Sequence, residues 1–178
     1  MAVGKLKPLI DECKRQYDNC LYTSTSLFEY VKFLRCIRIT TVILPLVLGS
    51  LAGWSVLNAY EDRGIRLFTA ACAFIAGLVP SIMSALKFDE SLDRCKTLAN
   101  EFANLKDRFR QAAEITAHKG VAELEKEFSQ LREQMEALRK NGVAIPDRFF
   151  RRAQKKVSGG DYSFDVDAEA IEKEQAVK

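Results

Sequence analysis

Histidine is nearly missing from this chain: one residue, His118, in 178. A His-rich metal site is thereby excluded, and any Ser/His or Cys/His catalytic pair has a single imidazole to draw on. His118 lies in a charged turn region with no Cys or Asp at ligand spacing, so it makes a poor ligand or base. Proline and glycine are scarce as well, four and nine residues, which excludes collagen-like and low-complexity chains. The one glycine pair, Gly159-Gly160, follows a helical pattern as a stop, and no Gly-rich phosphate loop occurs. The five cysteines (Cys13, Cys20, Cys36, Cys72 and Cys95) are odd in number and form no CxxC pair. Free thiols are the expectation, with Cys13 and Cys20 seven apart on one helical face. A net charge of +3 is too small to announce a nucleic-acid binder. No enzyme, cofactor or metal site is expected.

A second absence is local. Ile39 to Tyr60 and Leu67 to Leu86 contain no charged residue, and 29 of their 42 positions are apolar. The remainder of the chain is about 41% apolar, so the mean hydropathy of −0.12 is a cancellation between two populations. Roughly 20 helical residues cross a hydrocarbon layer of about 30 Å. Both stretches reach that length, and six residues separate them. The pattern predicts a transmembrane hairpin over residues 39–86, with spans at about 39–60 and 67–86. A pair of buried helices in a soluble bundle is the rival, but such helices show a polar stripe and neither stretch does.

The flanks set an orientation. Lys32, Arg35 and Arg38 precede the first span, and Lys87, Arg94 and Lys96 follow the second. The turn holds Arg63 and Arg66 beside Glu61 and Asp62. This bias predicts both termini on the cytoplasmic side of the membrane.

Outside the hairpin the periodicity is helical. Leu6, Leu9, Cys13, Tyr17, Cys20, Ser24, Leu27, Val31 and Leu34 recur at steps of three and four. A helix from about residue 8, Pro8 being near its start, is predicted to run through residues 1–38 into the membrane. Thr23-Ser24-Thr25-Ser26 interrupts its apolar character as a kink or a solvated turn. Residues 87–142 carry heptads: Leu98, Phe102, Leu105, Phe109, Ala112 and Thr116, then Val121, Leu124, Phe128, Leu131, Met135 and Leu138. Such seams must pack against another helix, either within a subunit or between subunits. Lys119-Gly120 marks a turn between antiparallel helices, or a bend in one rod, and Asn141-Gly142 ends the second helix. Residues 143–160 form a short helix opened by Ile145-Pro146-Asp147. It bears Arg148, Arg151, Arg152, Lys155 and Lys156 among Phe149, Phe150, Ala153 and Val157. These cations fit anionic headgroups, a phosphate-bearing ligand, or the acidic tail at 161–178, although a plain amphipathic docking helix has the same pattern.

The spans contain two stripes of small residues, Gly49 with Gly53, and Ala73, Gly77, Ser81 and Ala85. Small side chains let helices approach closely in lipid. One stripe suffices to close the hairpin, leaving the other for a neighbouring subunit. Pro45 and Pro80 permit kinks. With Thr40, Thr41, Ser50, Asn58, Thr69 and Ser84, they are the candidates for lining or gating a conduit. No acid or base lies mid-span, so an ion-coupled transport site is unsupported. Two helices cannot enclose a pore, and a conduit requires several copies of the chain.

The order of parts resembles the SLATT domains, two-transmembrane effector modules found beside nucleotide-signalling genes in bacterial conflict systems. The resemblance spans nearly the whole chain. It rests on Tyr22-Thr23-Ser24 before the membrane, Arg35 and Arg38 at its edge, and the close-spaced hairpin. It rests further on Leu98-Ala99-Asn100-Glu101-Phe102 with Leu105, on Ile145-Pro146-Asp147, and on Ser158-Gly159-Gly160-Asp161-Tyr162. What it implies is a homo-oligomeric membrane effector. On a signal from an infection sensor or a nucleotide, such an effector permeabilises the membrane and arrests the infected cell; no catalytic residues come with it. The fold class expected is therefore an all-α membrane protein with long cytoplasmic amphipathic or coiled-coil helices. Membrane lipids, further copies of the chain and an activating sensor are its expected partners, and nucleic acid is not. A non-conducting membrane-anchored scaffold that recruits partners through its coiled coils is the alternative.

Overall fold

A computed structural model describes residues 3–57 and 63–160, with side chains for 6–54 and 63–160. Asn58, the turn acids Glu61 and Asp62, the Ser55 side chain and the acidic tail at 161–178 lie outside the described residues. Among the described residues every regular element is helical. The elements are α1 (Val3–Leu57), α2 (Arg63–Ala85), α3 (Phe88–Glu114), a 3₁₀ turn (Thr116–Lys119), α4 (Val121–Lys140) and α5 (Asp147–Ser158). The described residues fall into two units, one drawn from 1–29 and 98–178 and one from 30–97. The boundaries cut through α1 and α3.

α1 starts five residues before Pro8 and passes through the Thr/Ser run without a break. The hydroxyls explain why. Thr23 Oγ1 donates to the Asn19 carbonyl at 2.7 Å, Ser24 Oγ to Leu21 at 3.1 Å and Ser26 Oγ to Thr23 at 2.8 Å. These three hydroxyls are satisfied by their own helix and need not face water. Ser24, Thr25 and Ser26 are in fact buried, so the run is not a solvated turn.

The first unit packs the beginning of α1 against the heptads of α3 and α4. Cys13, Cys20 and Leu27 meet Phe102, Phe109, Leu124, Leu131 and Met135 in one core, with Phe128 and Leu138 half-buried at its edge. Phe109 and Phe128 stack edge to face with centroids 6.2 Å apart, and Arg108 Nη1 donates to Gln134 Oε1 at 2.7 Å. These pairs bracket residue 120, so α3 and α4 form an antiparallel hairpin rather than a bent rod. The turn depends on Gly120, whose φ of +121° is a backbone conformation that side chains disfavour. Both heptad seams are thus filled by the chain itself.

α5 completes this unit. Pro146 precedes it in an extended conformation, and Phe149 and Ala153 are fully buried. Phe150 lies 6.4 Å from the Tyr22 ring, and Lys156 Nζ reaches Glu29 Oε1 at 2.8 Å. The helix is an amphipathic element docked along the Tyr22–Glu29 stretch of α1.

The second unit holds the end of α1, α2 and the start of α3. Val31 and Leu34 of α1 and Leu92 and Cys95 of α3 are buried in it, and Arg38 Nε lies 2.9 Å from Asp89 Oδ1. α2 passes to α3 through Leu86-Lys87, where Lys87 takes a left-handed φ of +48°.

Candidate functional site: the apolar hairpin and the cleft at its base

Two helices of the second unit, the later part of α1 and the whole of α2, are long and apolar enough to cross a membrane. They do not serve as core helices of this chain: only 6% of each apolar window is buried. Within the two uncharged stretches, fifteen large apolar side chains stand exposed, from Ile39 and Trp54 on α1 to Leu67, Phe74 and Leu86. In water, each forfeits on the order of 1 kcal/mol of burial. A contiguous apolar surface of that size is foreign to soluble monomers.

The hairpin does not close on its small residues. Gly49, Gly53, Ala73, Gly77, Ser81 and Ala85 are all exposed. A Cβ built at Gly49, Gly53 or Gly77 meets no atom within 4 Å. The shielded positions are instead Thr41, Pro45, Leu48 and Ala52 on α1, and Ile65, Thr69, Cys72, Ala76, Val79 and Met83 on α2. Steps of three and four define one face on each helix, the geometry of coiled-coil-like packing. Neither small-residue stripe lies on these shielded faces. The shielded faces mix small residues (Ala52, Cys72, Ala76) with larger ones (Leu48, Val79, Met83), and both stripes are exposed.

The predicted conduit residues divide. Thr41, Pro45, Pro80 and Ser84 come together along a cleft of about 650 Å³ at the base of the hairpin, whereas Thr40, Ser50 and Thr69 do not line it. Span hydroxyls are turned back on their own helices: Thr40 to Cys36, Thr41 to Arg38, Ser50 to Leu46, Thr69 to Ile65 and Ser81 to Gly77, at 2.8–3.2 Å. Such bonding lets a hydroxyl sit in an apolar setting. The rim of the cleft is charged, with the Arg38–Asp89 pair and Lys87 Nζ 3.5 Å from Glu90 Oε2. Sequence reasoning missed Asp89 and Glu90. Their signal was a pair of acids in the first turn of the helix that follows the second span, where they complement the helix dipole.

In the first unit, Leu98, Phe102, Leu105, Phe109, Leu124, Leu131 and Met135 are buried core residues. Of the basic set on α5, Lys156 is paired with Glu29, while Arg148 and Arg152 lie 4.7 and 5.7 Å from the Phe149 ring centre. Arg151 and Lys155 are exposed. Desolvation in the core pushes the Cys13 and Cys20 thiols up to about 11, Cys13 with added repulsion from Glu12 and Glu127. Burial also raises Cys95. Such thiols stay protonated and unreactive at neutral pH. Among the described residues, no group of three or more His, Cys, Asp or Glu is placed to hold a metal.

Compared with known families, residues 19–145 match the sequence model described as "Mobilome CxxCx(11)CxxC protein". The chain belongs to this family. The match takes in the hairpin, α3 and α4, and stops before α5. This member lacks the motif that the description spells out: its cysteines after residue 19 are Cys20, Cys36, Cys72 and Cys95, and no two are three apart. Four-cysteine chemistry therefore does not carry over to it. No curated protein and no solved structure matches the chain.

Proposed function

We propose that the chain is an oligomeric inner-membrane effector. Its hairpin spans the bilayer with both termini cytoplasmic, and several copies form a pore or disrupt the membrane when a sensor protein or nucleotide signal triggers them. One observation carries the reading. The hairpin closes on a seam of its own and leaves Gly49/Gly53 and Ala73/Gly77/Ser81/Ala85 outward, on surfaces where a neighbouring helix can approach closely. The resemblance to SLATT domains supplies the setting of antiviral defence by abortive infection. The cytoplasmic heptads, filled within the subunit, are left out of the assembly surface.

A second reading, a non-conducting anchor for a helical scaffold, is favoured by the hydroxyls that bond back to their own helices, because they offer a water column fewer donors. Expression under a potential-sensitive dye separates the two. The effector depolarises cells, and Gly49→Leu with Gly77→Leu abolishes depolarisation without loss of membrane-bound protein, since a Cβ at either position meets no atom within 4 Å. Overexpression to toxicity with intact potential sinks the pore and leaves the anchor.

A further inference from the structure

We infer that the cleft at the base of the hairpin binds a phospholipid headgroup that carries both a phosphate and a primary ammonium. The inference rests on the membrane reading above and specifies what the hairpin takes hold of at the interface. The cleft, about 650 Å³, is in the size range of ligand sites, and it has two zones. Val42, Leu46 and Met83, with Pro45 and Pro80, supply an apolar wall on the span side. Arg38, Lys87, Asp89 and Glu90 supply a charged rim, with the Thr41 and Ser84 residues between the zones. A ligand that suits both zones is amphiphilic, with its polar end at the membrane edge.

Charge then selects the headgroup. A site for a purely anionic lipid would present cations without acids. Here two cations are matched by two carboxylates, as Arg38–Asp89 at 2.9 Å and Lys87–Glu90 at 3.5 Å. A phosphate alone gains the cations but faces both carboxylates. A headgroup that is itself an ion pair exchanges partners instead, its phosphate going to Arg38 or Lys87 and its ammonium to Asp89 or Glu90. No charge is left unpaired. Opening the resident pairs is easy, because every side chain in them is more than half exposed and such pairs contribute little. The acceptors offered to the ammonium are the Asp89 and Glu90 carboxylates on the rim. A primary ammonium has three N–H donors for these acceptors, and a quaternary ammonium has none. An ethanolamine headgroup therefore fits where a choline headgroup does not.

The test is native mass spectrometry of the full chain in detergent, with phosphatidylethanolamine, phosphatidylcholine and phosphatidylglycerol of identical acyl chains added in equal amounts. The ethanolamine lipid should be retained about tenfold over the choline lipid, the worth of one hydrogen bond to a charged group. Asp89→Asn with Glu90→Gln should bring that ratio to near one, and Arg38→Gln with Lys87→Gln should weaken all three adducts. Equal retention by the wild type, a preference for the glycerol lipid, or an unchanged ratio in the Asn/Gln variant overturns the site. Flotation with liposomes of the same lipids is the separate arm. A chain that floats without discriminating loses the site alone, and one that does not float loses the membrane reading as well. The four side chains are exposed, so circular dichroism of the variants should match the wild type.

Discussion

Replacing Leu131 by alanine decides whether the α4 seam is core or assembly surface. Leu131 is fully buried in the core shared by α1, α3 and α4. Truncation removes its transfer free energy and leaves a cavity that three packed helices cannot collapse, at a cost of about 3 kcal/mol. Domains of this kind hold roughly 5–15 kcal/mol in total, so the loss lowers the midpoint of melting by roughly 10–20 °C. The assay is thermal melting in detergent, followed by far-ultraviolet circular dichroism, at two protein concentrations an order of magnitude apart. A contact inside one chain gives the same deficit at both, because no association equilibrium is involved. A deficit that disappears on dilution would refute the intramolecular core and return the seam to the interface between subunits. Phe102→Asp is the harsher companion. It buries a carboxylate without a partner and should unfold the unit rather than release a folded monomer.

Three further outcomes follow from geometry. Lys87→Gly should be neutral or stabilise by up to about 1 kcal/mol, since glycine occupies a left-handed φ without strain, while Lys87→Val should destabilise by a similar amount; chemical unfolding of the two variants checks the sign. A double-mutant cycle on Glu29 and Lys156 should give a coupling of about 1–2 kcal/mol, above that of exposed pairs, because the Glu29 side chain is only 12% exposed; a coupling near zero removes the pair as the fastening of α5. The thiols of Cys13 and Cys20 ionise at about 11 in the folded chain against 9.0 when unperturbed. They favour the fold fully below pH 9, and that contribution is lost as the pH rises toward 11. Cys13→Ala with Cys20→Ala should flatten this alkaline limb of the stability profile, and an unaltered limb assigns it to other groups.

Helices were legible wherever the sequence offered contrast. Steps of three and four among charged residues placed α3 and α4, Gly120 marked the turn, and Pro146 marked the start of α5. The uncharged stretches announced α2 and the end of α1 by length alone. Inside those stretches contrast vanishes: every face is apolar, so periodicity cannot reveal that Thr41, Pro45, Leu48 and Ala52 face α2 while Gly49 and Gly53 do not. Spacing is equally silent on whether a heptad packs within one chain or between two, since the same a and d positions serve both. The Ser/Thr run misled for another reason. A hydroxyl bonded to its own helix is apolar in its demands on the surroundings, and residue type does not record where its proton goes. The Arg38–Asp89 pair joins residues 51 apart in sequence, and no local pattern announces it.

The contact between Cys20 Sγ and Met135 Sδ, at 4.0 Å in the closed core, gives the molecule an internal recorder. Both sulfurs are oxidisable, and both are sealed from solvent. An oxidant such as peroxide reaches the Met135 thioether when the core opens, and the sulfoxide, once made, is too polar to be packed away again. The extent of that one oxygen addition therefore counts openings of the helical core over time, in whatever setting the chain is held, with no label attached.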